Sequence, residues 1–222
     1  QTEAIPVAMT GKDVCGRAKT GSGKTLAFGI PMLARITDKA APMKPLGLVL
    51  VPTRELAVQV AEVLQPVAHH AGMKVIPVYG GASRHHQVEE MAGGVEIVVA
   101  TPLRLIDLIK SDEINLDDIQ IVTLDEADRM ADDGFTPQVE WILRHTGNRN
   151  QTMLFSATLD GDVGHLIRAY QTDPETVAID EATDTVGNMS HLFLGIHHMD
   201  RDKVIGAIAR GIPKLVVFCQ TK

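Results

Sequence analysis

Two stretches of this chain, Leu48-Val49-Leu50-Val51 and Ile97-Val98-Val99, are apolar at every position. A strand with one face in water alternates apolar and polar residues. A strand without alternation is covered on both faces, the condition of a parallel sheet packed between two layers of helices. Around these runs, short β-branched segments at 14–15, 46–51, 75–79, 96–100, 119–124, 152–155 and 177–179 alternate with amphipathic segments of helical spacing. The latter lie at 26–36, 54–71, 83–91, 103–109, 137–145 and 162–170. The pattern predicts an α/β fold with a doubly wound, mostly parallel sheet. In such sheets ligands gather beyond the carboxyl ends of the strands. The distinctive short motifs of this chain all follow predicted strands and so share that edge.

The most specific of them is Ala18-Lys19-Thr20-Gly21-Ser22-Gly23-Lys24-Thr25. It lies between a strand and an amphipathic helix, which sets small-residue backbone N–H groups at a helix N-terminus where phosphate oxygens are stabilised. Lys24 is a mobile charge for the outer phosphates, and the Thr25 hydroxyl is a ligand for Mg²⁺. Asp125 follows the strand-like Ile121-Val122-Thr123-Leu124, where a second Mg²⁺ ligand, direct or through water, is needed. Glu126 beside it is placed to orient or deprotonate an attacking water. Together these residues specify hydrolysis of a nucleoside triphosphate or switching driven by it.

Composition bounds the rest. The chain has 222 residues, 45% apolar and 22% charged, as in an ordinary globular protein. No apolar run approaches the ~18 residues of a membrane span. Cys15 and Cys219 are far apart without metal-binding spacing, which fits reduced thiols and a cytoplasmic protein. The nine His residues include adjacent pairs whose side chains diverge, and they read as surface. A formal net charge of −7 argues against a broadly basic duplex-binding surface. Aromatics are few (Trp141, two Tyr and five Phe), so a nucleic acid would be held by its backbone. The chain starts at Gln1 without Met, which suggests preceding residues. Residues 180–190 are acidic and Thr-rich with Gly187 and read as a linker. Beyond them come strand candidates at 191–196 and 214–219 around a helix candidate at 202–209. These are too few elements for a core and read as the opening of a second domain.

Several strand-end motifs have two readings on their residues alone. Arg54 is a phosphate contact or a solvated helix-end arginine. Gly80-Gly81 permits close backbone approach or is a plain turn. Thr101 and Arg104 mark a phosphate seat at a helix N-terminus or an ordinary helix start. Ser156 and Thr158 hydrogen-bond Asp128 or cap a helix.

In order along the chain, these motifs resemble those of the DEAD-box ATP-dependent RNA helicases, with Asp125-Glu126-Ala127-Asp128 as the eponymous tetrapeptide. The resemblance implies a RecA-like domain at 1–179, a linker at 180–190 and the start of a second RecA-like domain at 191–222. It implies ATP and Mg²⁺ as cofactors, with adenine read by Gln1 and phosphates held by Ala18, Thr20, Gly21, Ser22, Gly23, Lys24 and Thr25. Pro52, Thr53, Arg54, Gly80, Gly81, Thr101, Pro102 and Arg104 resemble the RNA-contacting motifs, which hold RNA through its backbone without reading sequence. Asp128, Ser156 and Thr158 resemble the residues that couple hydrolysis to unwinding, and Val217-Phe218 with Thr221 the first motif of the second domain. Leu103 departs from the pattern, standing where the family usually has Gly. The alternatives are a helicase-fold DNA translocase and a non-hydrolysing RNA clamp; the intact Lys24, Asp125 and Glu126 argue against the clamp.

Overall fold

The structure is a computed structural model, describing residues 3–18, 23–178 and 192–218. It divides into two units, residues 1–180 and 181–222. The first is built on a seven-stranded, all-parallel sheet in the order β3-β4-β2-β5-β6-β1-β7. The strands are β1 (Val14–Arg17), β2 (Gly47–Leu50), β3 (Val75–Val78), β4 (Ile97–Ala100), β5 (Ile121–Asp125), β6 (Gln151–Ser156) and β7 (Glu175–Ala178). The helices are α1 (Ala4–Met9), α2 (Lys24–Arg35), α3 (Arg54–His70), α4 (Arg84–Ala92), α5 (Pro102–Lys110), α6 (Ala127–Asp132), α7 (Thr136–Arg144) and α8 (Gly161–Tyr170).

The unalternated runs are the reason for two cores. Leu48, Leu50, Val98, Ala100, Val122 and Leu124 face a layer that includes α4 to α8, while Val49, Val51, Ile97, Val99 and Ile121 face α1, α2 and α3. Every residue of β2, β4 and β5 is buried. At about 1.5–3 kcal/mol for each large apolar side chain buried, this burial is what fixes the strand order and register. Helix α1, which the sequence pattern did not disclose, has only six residues and contains Pro6. It is held from outside: Ala4 and Ala8 are buried, Gln151 Nε2 donates to the Ala8 carbonyl at 2.9 Å, and Arg35 donates to the Met9 carbonyl at 3.1 Å.

Cys15 is buried in β1 and donates to Gln171 Oε1 at 2.9 Å; burial pushes its thiol up to about 11. Among the described residues no helix is long and apolar enough to cross a membrane, and no three His, Cys, Asp or Glu side chains cluster to hold a metal.

The second unit corrects the sequence expectation. Its described residues form a short 3₁₀ turn, His198–Asp200, and α9 (Arg201–Gly211), which contains the helix expected at 202–209; the flanking strands are what differ. The strands expected at 191–196 and 214–219 are absent over residues 192–196 and 214–218; His191 and Cys219 lie outside the described residues. A strand exists through its hydrogen-bonded neighbour, and among the described residues these segments have none. Phe193 and Phe218 are 93% and 94% exposed, and α9 buries no residue.

Gly16, in β1 ahead of the phosphate loop, tests the packing. A Cβ there would lie 2.4 Å from the Phe155 ring, which is itself packed at 5.5 Å against Phe28 of α2. Gly16→Ala is expected to destabilise the protein by about 1–3 kcal/mol through overpacking, measured by urea unfolding. Adding Phe155→Leu should recover part of the loss.

Candidate nucleotide site at the carboxyl edge of the sheet

The site forms where β1, β6 and β5 end side by side, with Gly16 opposite Phe155 and Phe155 opposite Asp125. Helix α2 begins at Lys24, two residues earlier than helical spacing indicated, so Lys24 and Thr25 both belong to its first turn. Gly23 caps it in the left-handed region at φ 78°, a conformation glycine adopts without steric cost. Gln1, Thr20, Gly21 and Ser22 lie outside the described residues.

Lys24 and Asp125 are both buried. Lys24 Nζ lies 2.9 Å from Asp125 Oδ1 and 3.7 Å from Glu126 Oε1. Burial raises the pKa of Asp125 above the ordinary carboxylate value; the Lys24 ammonium opposes that rise, as does the 2.9 Å bond that Oδ1 accepts from the Glu126 N–H. Asp125 Oδ2 is buried with no hydrogen-bond partner. A buried acceptor left unmatched costs about 1–3 kcal/mol, so its retention at a strand end fits a site for a cation or its water ligands. Mg²⁺ binds through one or two carboxylates together with phosphates and water, so the donors present, Asp125 and Thr25, fit that group.

Glu126 has φ 53° and ψ 50°. For a residue with a side chain this left-handed backbone costs about 1–3 kcal/mol. It starts α6 directly after β5, and Arg129 Nη1 lies 3.5 Å from Glu126 Oε2.

Ser156, fully buried at the end of β6, touches both halves of the site. Its carbonyl accepts the Ala18 N–H at 3.0 Å, and its hydroxyl accepts the Asp128 N–H at 3.1 Å. The Asp128 carboxylate in turn accepts the Ala157 N–H at 3.2 Å. The contact expected from Ser156 is therefore made, through the Asp128 backbone. Thr158 lines the same recess as Asp128, whose carboxylate also accepts the Arg129 N–H at 3.0 Å.

The remaining strand-end motifs gather after β2, β3 and β4. Pro52 is buried after β2, and the Thr53 hydroxyl caps α3 by accepting the Leu56 N–H at 3.3 Å. Arg54 is exposed and stacks over the Tyr79 ring at 5.4 Å. Gly80 has open space where a side chain would stand, and Gly81 has φ 84°. Thr101 precedes α5, Pro102 is its first residue, and Leu103 is 53% exposed there. Arg104 is half-buried: Nη1 donates to Gln87 Oε1 at 3.1 Å, and Nη2 donates to the Ala82 carbonyl at 3.3 Å. Gln87 went unnoticed in the sequence; its one signal is a polar residue on the inner face of an amphipathic helix.

Lys24→Met removes the buried cation and leaves the carboxylates. Because the folded-state pKa of Asp125 lies above its unfolded value, its contribution to stability is full below about pH 4 and is lost as pH rises through the folded value. Without Lys24 that value rises further. The stability deficit of Lys24→Met should therefore be small near pH 4 and grow to about 3–5 kcal/mol by pH 8, followed by urea unfolding across pH.

The model of the family described as DEAD/DEAH box helicase matches residues 1–166. A DEAD-box ATP-dependent RNA helicase CshA of Bacillus subtilis is 36% identical over the whole chain, which covers 45% of that protein. DEAD-box ATP-dependent RNA helicase 24 of Arabidopsis thaliana is 44% identical over 82% of the chain, covering 24% of the plant protein. Among solved structures, a hypothetical ATP-dependent RNA helicase from Sulfolobus tokodaii superposes with a TM-score of 0.73 at 39% identity, over 80% of this chain and 51% of that one. The chain thus spans less than half the length of the curated relatives it matches. With its all-parallel sheet, its phosphate-loop helix and Asp125-Glu126-Ala127-Asp128 at the end of β5, the chain belongs to the DEAD/DEAH box helicase family.

Proposed function

We propose that this chain is the nucleotide-binding part of an ATP-dependent RNA helicase that couples ATP hydrolysis to local separation of RNA duplexes or remodelling of RNA–protein complexes. Residues 1–179 form its first RecA-like domain, 180–190 the linker and 191–222 the start of the second. The protein works in the cytoplasm. The observation that carries this reading is the buried Lys24–Asp125–Glu126 cluster, joining the first turn of the phosphate-loop helix to the end of β5.

Lys24 is the counter-charge of two carboxylates here, and in the working site it turns to the outer phosphates of ATP. Asp125, directly or through water, and the Thr25 hydroxyl would hold Mg²⁺, which would supply positive charge to neutralise the phosphates. Glu126, set by its left-handed backbone, orients or deprotonates the attacking water. Gln1 reads adenine, and residues 20–23 lend backbone N–H groups to the phosphates, while Ala18, its own N–H held by the Ser156 carbonyl, sets where that loop begins. Ser156 carries the state of the phosphate loop to Asp128. RNA is gripped along its phosphates and 2′-hydroxyls by Pro52, Thr53, Arg54, Gly80, Gly81, Thr101 and Pro102, a mode that suits a chain with few aromatics.

The test uses the complete protein. RNA should stimulate ATP hydrolysis more than DNA of matched sequence. Glu126→Gln should lower kcat by about 10²–10⁴ while leaving nucleotide affinity nearly unchanged. Equal stimulation by DNA would favour a DNA translocase, and RNA retention without turnover would favour a clamp. The 222-residue chain alone should bind ADP weakly and unwind nothing. If the second domain supplies arginines to the phosphates, the chain alone should hydrolyse about 10³–10⁵ times more slowly than the complete protein.

A further inference from the structure

Gln87 is 4% exposed, yet it sits on a helix whose other residues are mostly polar and solvated. Both ends of its amide are used. Nε2 donates to the Tyr79 carbonyl at 3.1 Å, and Oε1 accepts from Arg104 at 3.1 Å. Arg104 also donates from Nη1 and Nη2 to the Ala82 carbonyl, at 3.4 and 3.3 Å. The carbonyls on either side of Gly80-Gly81 are thus tied down, one to α4 and the other to α5. Between them the turn faces open space at Gly80, and Gly81 has φ 84°. The Tyr79 ring that begins this turn also carries the Arg54 guanidinium.

Two successive glycines lose more conformational freedom on ordering than any other pair of residues. A turn built from them presents its backbone to a ligand in one geometry only if something else holds it. Gln87 and Arg104 do so from neighbouring elements, and the Arg104 nitrogens that point at Ala82 and Gln87 are directed into the protein rather than toward solvent.

We propose that Gln87 is a positioning residue for RNA binding. Together with Arg104 it fixes the Gly80-Gly81 turn and, through Tyr79, the placement of Arg54. Arg104 acts through this turn rather than by touching a phosphate. The inference rests on the RNA reading above and sharpens it, dividing the basic residues of this face into one that contacts and one that holds.

Salt dependence separates these roles, because losing one phosphate contact to a single strand reduces the slope of log affinity against log salt by about 0.7, whereas losing a strut that neutralises no phosphate leaves it nearly unchanged. In the complete protein, binding of a single-stranded RNA 10-mer would be measured for Gln87→Leu, Arg104→Gln and the double variant. Each single variant should weaken binding about ten-fold, the double variant no more than either, with the salt slope and ADP affinity unchanged. Hydrogen exchange at residues 80–82, measured without RNA, should quicken in both. Gln87→Glu keeps the acceptor for Arg104 but loses the donor to Tyr79, and should fall between wild type and Gln87→Leu, which guards against a folding defect in the larger change. A reduced salt slope in Arg104→Gln with wild-type binding by Gln87→Leu would overturn the proposal, as would unchanged exchange at the turn. Failure of the wild-type protein to bind RNA would sink the RNA reading, and the exchange measurement would still decide whether the strut exists.

Discussion

A parallel strand covered on both faces can be followed only by a segment that crosses one face and returns to the starting edge. Seven parallel strands, the central ones covered in this way, make the architecture of the first unit, because the crossovers are helical and each helix seals part of a core. The same constraint delivers the loops after β1 to β6 to one edge. Residues as distant in sequence as Ala18, Asp128 and Ser156 therefore meet there without any long-range interaction having to recruit them. The burial that sets the register is large compared with the polar contacts it places. Those contacts can then be chosen for chemistry and need not hold the fold.

The electrostatics at this edge show that choice. An ammonium and two carboxylates withdrawn from water form a cluster whose Coulomb attraction mainly offsets the cost of taking the charges out of solvent. Such a cluster adds little net stability as a set, but any member removed alone leaves its partners uncompensated.

Much of this was legible because the strongest sequence signals are local. Unalternated apolar runs identify the central strands, and the small-residue loop ahead of Lys24 marks where α2 begins. Asp125 and Glu126 could be placed because a buried strand precedes them. Other features are properties of the tertiary structure. Helix α1 is too short and too proline-bearing to declare itself, and it forms because Gln151 and Arg35 bind its carbonyls. Gln87 looks like any helical glutamine until the turn after β3 and the start of α5 are brought against it. The strands expected near 191–196 and 214–219 show the reverse case, since apolar content alone does not make a strand without a neighbour.

The left-handed backbone at Glu126 sets local comfort against chemical use. Glycine would occupy that φ without the ~1–3 kcal/mol that a side chain costs there, so the backbone by itself favours a residue with no side chain. A search for more stable versions of this protein would be drawn to position 126, and the substitution it selected would remove the carboxylate beside Lys24. Under the role proposed for Glu126, the edge of the sheet is thus a place where thermal robustness and catalysis are optimised by opposite residues. Stabilising changes are better sought on the far side of the fold, at the N-terminal ends of the strands, which carry no such conflict.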